Sequence, residues 1–548
     1  MNYRARLSDY FNKRDRGWIL SLLAVVCLVY LPFLGNPLVF DDLNFFTGAA
    51  AKYYADAPFR FDLRWLPNVT LGRTWAWFGE APHFFRLGNA LLHAGNVMLL
   101  FYLLRQLLSA ALPDTECSTV SWSAWFGALV FACHPVAVYA AGYVVQRSIL
   151  LATLFAIVMQ LAYLRGLLSG QKRWLVLSVL AYALAGFSKE HSVLMPAVLI
   201  AITILLRNKN MLGRLALGLS WFSFVAVAIV LVLTSKGMLG AYALGPVFEP
   251  MGDNSLGQLK LDASAPLHIL SVFTQAGLFF KYLLLWALPN PAWMSVDMRE
   301  PFVVSLSAWQ GWAGALAFIV YGGLGFSLLF RRGMAGLAGM SLLYPWLLFV
   351  VEFSSMRMQE IFVLYRSYLW MPGMMLFFSL LVIRWPGRRI LLALGFVVLL
   401  LTSFAWNRLW VFADSYRLWN DAALLLTNEQ VVGADRIFFN RAQSQAAVKD
   451  WKGAAADFER VVEISPQLAP VRYQLGMAYL NLARFEEALA QFNVGTSIAP
   501  DDGRQYTGKG MALMRMHQSE QARQQMRKGC ELGDDLGCTL VSWLGLPK

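Results

Sequence analysis

Apolar runs of bilayer-crossing length recur along most of the chain, separated by short basic loops. A crossing helix needs roughly 20 predominantly apolar residues. Runs of that kind lie at 18–34, 86–108, 120–140, 146–166, 173–188, 191–206, 214–234, 306–330, 335–351, 363–383 and 389–406. The composition agrees. Of 548 residues, 58% are hydrophobic and only 14% charged, with a mean hydropathy of +0.51. A soluble chain carries roughly a quarter charged residues, whereas lipid-facing helix surfaces need none. The net charge of +13 would raise nucleic acid as a partner of a soluble protein. Here the basic residues sit mostly in short loops, so they orient helices and nucleic acid is not expected. The run 18–34 follows a basic start, but no small-residue cleavage site follows Asn36-Pro37-Leu38-Val39-Phe40, so it reads as a retained first helix.

Lys and Arg favour the cytoplasmic side. The basic groups are Arg4, Arg6, Lys13, Arg14 and Arg16; Lys172 and Arg173; Arg207, Lys209 and Arg214; Arg331 and Arg332; and Arg384, Arg388 and Arg389. The apolar segment 266–288 decides whether they share a side. If it crosses, the 331–332 and 384–389 loops fall outside. If it is re-entrant or interfacial, every basic loop falls inside, with about eleven crossings and a long external segment, 235–305. The second reading is preferred. It gathers Asp41 and Asp42, Gln146 and Arg147, Ser188 to His191, and Tyr365 to Tyr368 at one external end. Charge at membrane depth is costly and usually faces a cavity or a partner, so one outward-opening polar cavity is expected.

After Trp406 the hydropathy falls. Ala454, Phe458 and Pro466 recur 34 residues on as Ala488, Phe492 and Pro500, and Gly476, Ala488 and Phe492 recur as Gly510, Ala522 and Met526. That period is the tetratricopeptide length, and three units are near the minimum for a stable solenoid. Small residues let two helices approach, and proline ends the second helix of a unit. The expected fold is all-α: a polytopic helix bundle over 1–408, a linker over 409–433, and a repeat solenoid over 434–548. Such repeats serve equally as spacers or as docking surfaces. Cys27 and Cys133 read as packing residues, whereas Cys530 and Cys538 are close enough to form a disulfide if the tail lies outside the cytoplasm.

Several residues could carry chemistry. Asp41 and Asp42 follow the first helix directly. Neighbouring acids resist joint ionisation, which raises one pKa, so one can act as a base while the other orients a partner. The plainer reading is a helix cap. Arg60, Arg64 and Arg73 lie among aromatic residues in an interfacial stretch. Asn89 and His93 share a helix face, and a lone histidine there is more often a hydrogen-bonded packing residue than a ligand. Arg147, Lys189 and Arg366 are cations at external helix ends. They could hold a phosphate or snorkel to head groups. Tyr365 and Tyr368 are belt aromatics or cavity walls, and Glu190 and His191 are further cavity candidates. Phosphate-loop, dinucleotide and zinc-protease motifs are missing from the sequence.

With those pieces in order, the chain resembles the transmembrane and tetratricopeptide-repeat glycosyltransferases of the GT-C superfamily, bacterial relatives of the protein O-mannosyltransferases. The matching segments span nearly the whole chain: Asn36 to Asp42, Pro82 to His93, His134-Pro135 with Tyr143 to Arg147, Phe187-Ser188-Lys189-Glu190, Tyr365 to Leu369, and Trp406 to Trp410 with Leu418-Trp419. The resemblance implies a sugar on a polyprenyl phosphate as donor substrate, moved with inversion to an acceptor hydroxyl outside the bacterial cytoplasmic membrane. Asp41 would be the base and Asp42 its neighbour. Arg147, Lys189 and Arg366 would clamp the phosphate, and Tyr368 would line the donor pocket. The acceptor is expected to be a protein docked by periplasmic repeats, and the other partners are the lipid-linked sugar and membrane lipid. No cofactor and no metal site is carried over. Two departures from the family pattern stand out: Tyr139 and Leu364 occupy positions where many relatives have Glu. The alternatives are transfer to a glycolipid or cell-surface polysaccharide, and a non-catalytic envelope assembly factor that recruits partners through its repeats.

Overall fold

The computed structural model describes residues 13–47, 50–57, 62–244, 266–357, 360–385 and 388–544. Arg4, Arg6, Arg60 and residues 245–265 of the expected external segment lie outside them, as do the side chains of Lys13, Arg14, Arg388 and Arg389. The described residues are helical throughout. Their one strand-like feature is an isolated antiparallel bridge between Met298 and Phe362. The first part runs α1 (Lys13–Tyr30), α2 (Asp41–Thr47), α3 (Ala50–Asp56), α4 (Trp65–Phe78), α5 (Pro82–Ala111), α6 (Cys117–Cys133), α7 (Val138–Ala141), α8 (Arg147–Ser169) and α9 (Lys172–Ser188). It continues through α10 (Met195–Leu205), α11 (Arg214–Leu244), α12 (Leu267–Ala287), α13 (Trp309–Phe330), α14 (Gly333–Phe349), α15 (Met375–Arg384) and α16 (Arg388–Val411).

Among the described residues, eight helices are long and apolar enough to cross a bilayer, and a ninth if the pair Cys117–Cys133 and Pro135–Ala141, bent by 52°, counts as one. The eleven-crossing expectation is not reached by length and apolarity. α9 has 17 residues, α10 has 11 and α15 has 10. At two of these places the chain enters through 3-10 turns, Glu190–Leu194 and Met371–Gly373, each followed or interrupted by a proline. A run read only by hydropathy cannot show that its first turns are wound differently.

The segment 266–288 is one continuous helix of 21 residues, α12, and not a re-entrant loop. Contacts hold it at both ends. Near its start, Ser271 accepts the backbone N–H of Arg357, and Phe273 packs on Trp312 in the first turn of α13. At its other end, Trp286 stacks on His134 just past α6. The chain then reaches Met294, whose carbonyl accepts from Arg408 near the end of α16. Helix α13 packs through one narrow face. Its buried stripe is Gly311, Phe318, Gly322, Gly325 and Leu329. A Cβ on Gly314 would sit 3.0 Å from the backbone of Gly277, and one on Gly322 would sit 2.4 Å from the Trp346 ring. The opposite face carries exposed Trp309, Trp312, Leu316, Ile319 and Val320.

Beyond the bundle, α17 (Ser415–Leu424) leads into α18 (Ala434–Ala447), α19 (Trp451–Ile464), α20 (Ala469–Asn481), α21 (Phe485–Ile498), α22 (Gly503–Arg515), α23 (Ser519–Glu531) and α24 (Asp535–Trp543). The 34-residue period appears as three helix pairs. Ala454, Phe458, Ala488, Phe492, Ala522 and Met526 are all buried. A Cβ on Gly476 would meet the Phe492 ring at 2.6 Å, which is why a small residue recurs there. Cys530 and Cys538 are joined, tying α23 to α24.

Candidate functional site

The loop from Asn36 to Asp42 sits against the end of α16. Asn36 donates to the Leu409 carbonyl at 2.8 Å. Arg86, buried on α5, donates to the carbonyls of Asn36, Pro37 and Gly142. The two aspartates differ in role. Asp42 is fully buried, and its carboxylate accepts the backbone N–H groups of Val145 at 2.8 Å and Val39 at 3.3 Å. Burial pushes it up to about 7, against the pull of Arg86 and those hydrogen bonds, and Asp41 adds the smallest upward push. Mutual repulsion of the pair is therefore a minor cause, and Asp42 is a clasp that closes its own loop. Asp41 is half-buried. Its backbone N–H donates to the Tyr143 hydroxyl at 3.0 Å.

Tyr143 leads to the cations. Its ring meets Tyr365 edge-on at 6.5 Å, and the Lys189 ammonium lies 5.7 Å from the centre of the Tyr365 ring. Asp41 is within electrostatic reach of the Tyr365 hydroxyl, which burial, then Glu360, and Asp41 push above its ordinary value. Lys189 is 4% exposed. Burial brings it down to about 7, with Arg64 and Arg366 lowering it further and Glu190 and Glu360 opposing. Among the described residues, no acceptor lies within hydrogen-bonding distance of its ammonium. Arg64 forks onto Glu190, Nε to Oε2 at 3.1 Å and Nη2 to Oε1 at 2.6 Å.

From Glu190 the ion network runs inward. His191 lies between Glu190 at 3.3 Å and Glu352 at 3.4 Å. Glu352 also faces Arg357 at 3.2 Å and Arg366 at 3.3 Å, and Arg366 reaches Glu360 at 2.5 Å. Three atoms of this network, His191 Nδ1, Glu352 Oε1 and Arg357 Nε, have charge partners but no aligned hydrogen bond. The ion pairing here is a matter of proximity in a low-dielectric setting.

Asp41, Asp42, Arg64, Lys189, Glu190, His191 and Arg366 are thus brought to one end of the bundle. Three other candidates are placed differently. Arg147 points away from the Lys189 cluster, with Nε on Asn89, Nη1 on Thr70 and Thr74 and Nη2 on the Phe85 carbonyl, at 2.9 to 3.2 Å. With its donors committed to four protein acceptors, it pins α4 and α5 to α8, which corrects the expectation of a phosphate clamp. Tyr368 is fully buried. Its hydroxyl meets His93 Nδ1 at 2.7 Å and Asn96 at 3.2 Å, so it is a bolt between helices and not a pocket wall. His93, whose other ring nitrogen meets the Ala132 carbonyl at 3.1 Å, has the packing role that a lone histidine on a helix face suggests.

Glu352, Arg357 and Glu360 were missed. Glu352 is the only charged residue in the apolar run 333–354, and a lone intramembrane acid is by itself a signal of function. With Glu360 it faces Arg366. Tyr139, at the other departure, is buried and packs edge-on against Phe412, and Arg408 pairs with Asp421 at 3.0 Å.

Residues 445–512 match the tetratricopeptide repeat family model. No curated protein matches the chain. Among solved structures, "Crystal structure of YrrB: a TPR protein with an unusual peptide-binding site" is 19% identical, over 28% of this chain and 83% of that one, with a TM-score of 0.21. The structure titled "MamA AMB-1 P212121" is 21% identical, over 24% of this chain and 78% of that one, with a TM-score of 0.20.

Proposed function

We propose that this chain is an inverting glycosyltransferase of the membrane, taking a sugar from a polyprenyl-phosphate-linked donor and placing it on an acceptor hydroxyl at the external face. The observation that carries this reading is the arrangement at one end of an apolar bundle of a half-buried carboxylate, Asp41, on Tyr143 and of a buried ammonium, Lys189, with no hydrogen-bond acceptor among the described residues, on Tyr365, the two rings meeting edge-on. The motifs shared with the GT-C repeat-bearing glycosyltransferases support it. In this reading α9, α10 and α15 cross despite their length, α12 does not, and eleven passes put the repeats outside.

Asp41 takes the proton of the acceptor hydroxyl as its oxygen bonds to the anomeric carbon. The bond from that carbon to the lipid phosphate breaks, and the phosphate leaves with the electron pair. Lys189, with Arg366 and Arg64 behind it, offsets the charge that grows on the leaving group. Asp42 and Arg86 hold the loop that presents Asp41. The repeats dock a protein acceptor, since solenoids offer extended concave surfaces.

The test compares intact masses of envelope proteins from cells carrying the wild-type chain and Asp41→Asn. Loss of a hexose- or pentose-sized increment from a discrete protein is expected, at a turnover lowered by about 10²–10⁴-fold. A change confined to glycolipids would move the acceptor to a lipid or polysaccharide. Unchanged proteins and glycolipids at normal chain levels would sink catalysis and leave a repeat-bearing assembly factor.

A further inference from the structure

Phe40 immediately precedes the candidate base, and both of the molecule's units hold it. Its φ is +52°, a left-handed conformation that a bulky L-residue leaves readily unless its surroundings fix it. On the bundle side, its ring stacks on Tyr143 with centroids 6.4 Å apart, and Tyr143 accepts the Asp41 N–H. The other contacts come from the tail. The edge of Trp419, on α17, meets the Phe40 ring at 5.0 Å and 86°. The Arg436 guanidinium, on α18, lies 5.3 Å from the same ring centre. Neither is loosely held. Trp419 is 3% exposed and packs with Ala422 and Ile437. Arg436 is fixed by Asp297 at 2.9 Å, which Arg299 also grips at 2.8 Å. Arg299 in turn reaches the Val432 carbonyl.

We propose that the repeat-bearing unit forms part of the seat of the base: Trp419 and Arg436 are positioning residues that hold Asp41 through Phe40 and Tyr143. This rests on the glycosyltransferase reading for its catalytic half only. The tail then does more than bind an acceptor. It is needed for turnover even with an acceptor too small to dock, because the loop that carries Asp41 is clamped between the two units.

The test uses the full chain in detergent with Cys27, Cys117 and Cys133 replaced by alanine, the Cys530–Cys538 disulfide kept, and Val39→Cys as a probe. Val39 is fully buried two residues before Asp41, so a bulky water-soluble maleimide reads opening of the loop. Trp419→Ala is expected to raise the labelling rate about tenfold, and Trp419→Phe to restore it. Arg436→Lys, which keeps the charge beside Asp297, is expected to give about a threefold rise and serves if Trp419→Ala does not fold. In the chain without the probe, Trp419→Ala is expected to lower kcat about tenfold with KM for a short acceptor peptide unchanged. Labelling as slow as in the parent in both variants overturns the clamp. So does faster labelling at an unchanged kcat, or a rise in KM alone. Asp41→Asn, run in parallel, separates the two ideas. If that variant transfers sugar at full rate, the glycosyltransferase reading falls, while the labelling rates still decide the clamp.

Discussion

The two ends of the helix bundle treat charge in opposite ways. At the end that carries Asp41, seven charged or titratable side chains from Arg64 to Arg366 form one connected, mostly buried network. At the other end, Lys172, Arg173, Arg207, Arg331, Arg332 and Arg384 are exposed, and Asp15 pairs with Arg105 at 2.6 Å. Exposed cations orient helices at little cost. A buried network is expensive to assemble, and persists where charge is used. The same residue types are thus exposed at one end and buried in a paired network at the other, and only their surroundings distinguish the two.

Breaking the network has the largest expected effect. Glu352→Gln removes the carboxylate shared by Arg357, Arg366 and His191 and leaves buried cations unbalanced, so about 3–5 kcal/mol of stability is lost. Thermal unfolding of the full chain in detergent would register it, and a midpoint shift no greater than that of a surface variant would show the network to be loosely coupled. Asp15→Asn, at the opposite end, removes the carboxylate that Arg105 meets at 2.6 Å and is expected to cost about 1–3 kcal/mol in the same assay. A cost equal to that of Glu352→Gln would erase the contrast between the ends. The third comparison uses pH. Lys189 is brought down to about 7 by burial and by its cationic neighbours, so it is charged below that value and neutral above it. Binding of a long-chain prenyl phosphate is therefore expected to weaken as pH rises through 7, by about tenfold between pH 7 and 8 at most, and Lys189→Arg to flatten the profile. An unaltered slope in that variant would place the anion elsewhere. The smallest effect belongs to exposed Arg384→Gln, within about 0.5 kcal/mol of wild type.

The parts of this molecule legible in its sequence are those written locally. Apolar runs and a 34-residue period are patterns over neighbouring residues, and they gave the helices and the repeats. Asp41 and Asp42 stand out in the sequence because paired acids beside an apolar run are unusual. What could not be read was partnership across the chain. Arg147 has the right residue type and the right helix end for a clamp, but its acceptors, Thr70, Thr74, Phe85 and Asn89, lie up to 77 positions away. Glu352 meets His191 from more than 160 positions on, and hydropathy placed it just past the end of a run. The segment 266–288 shows the same limit from the other side. Basic-loop counting argued against a crossing, whereas its 21 residues are long and apolar enough for one.

Helix α13 divides its positions into two alphabets. On its outer face, where Leu316, Ile319 and Val320 are exposed, any apolar side chain satisfies the surroundings equally well. On the inner face, Gly314 against the Gly277 backbone and Gly322 against Trp346 leave no volume for even a methyl group. Sequence drift along this helix is thereby confined to one side, with a period set by the helical turn. A diverged copy would keep the glycines and Phe318 of the inner face while the outer positions changed.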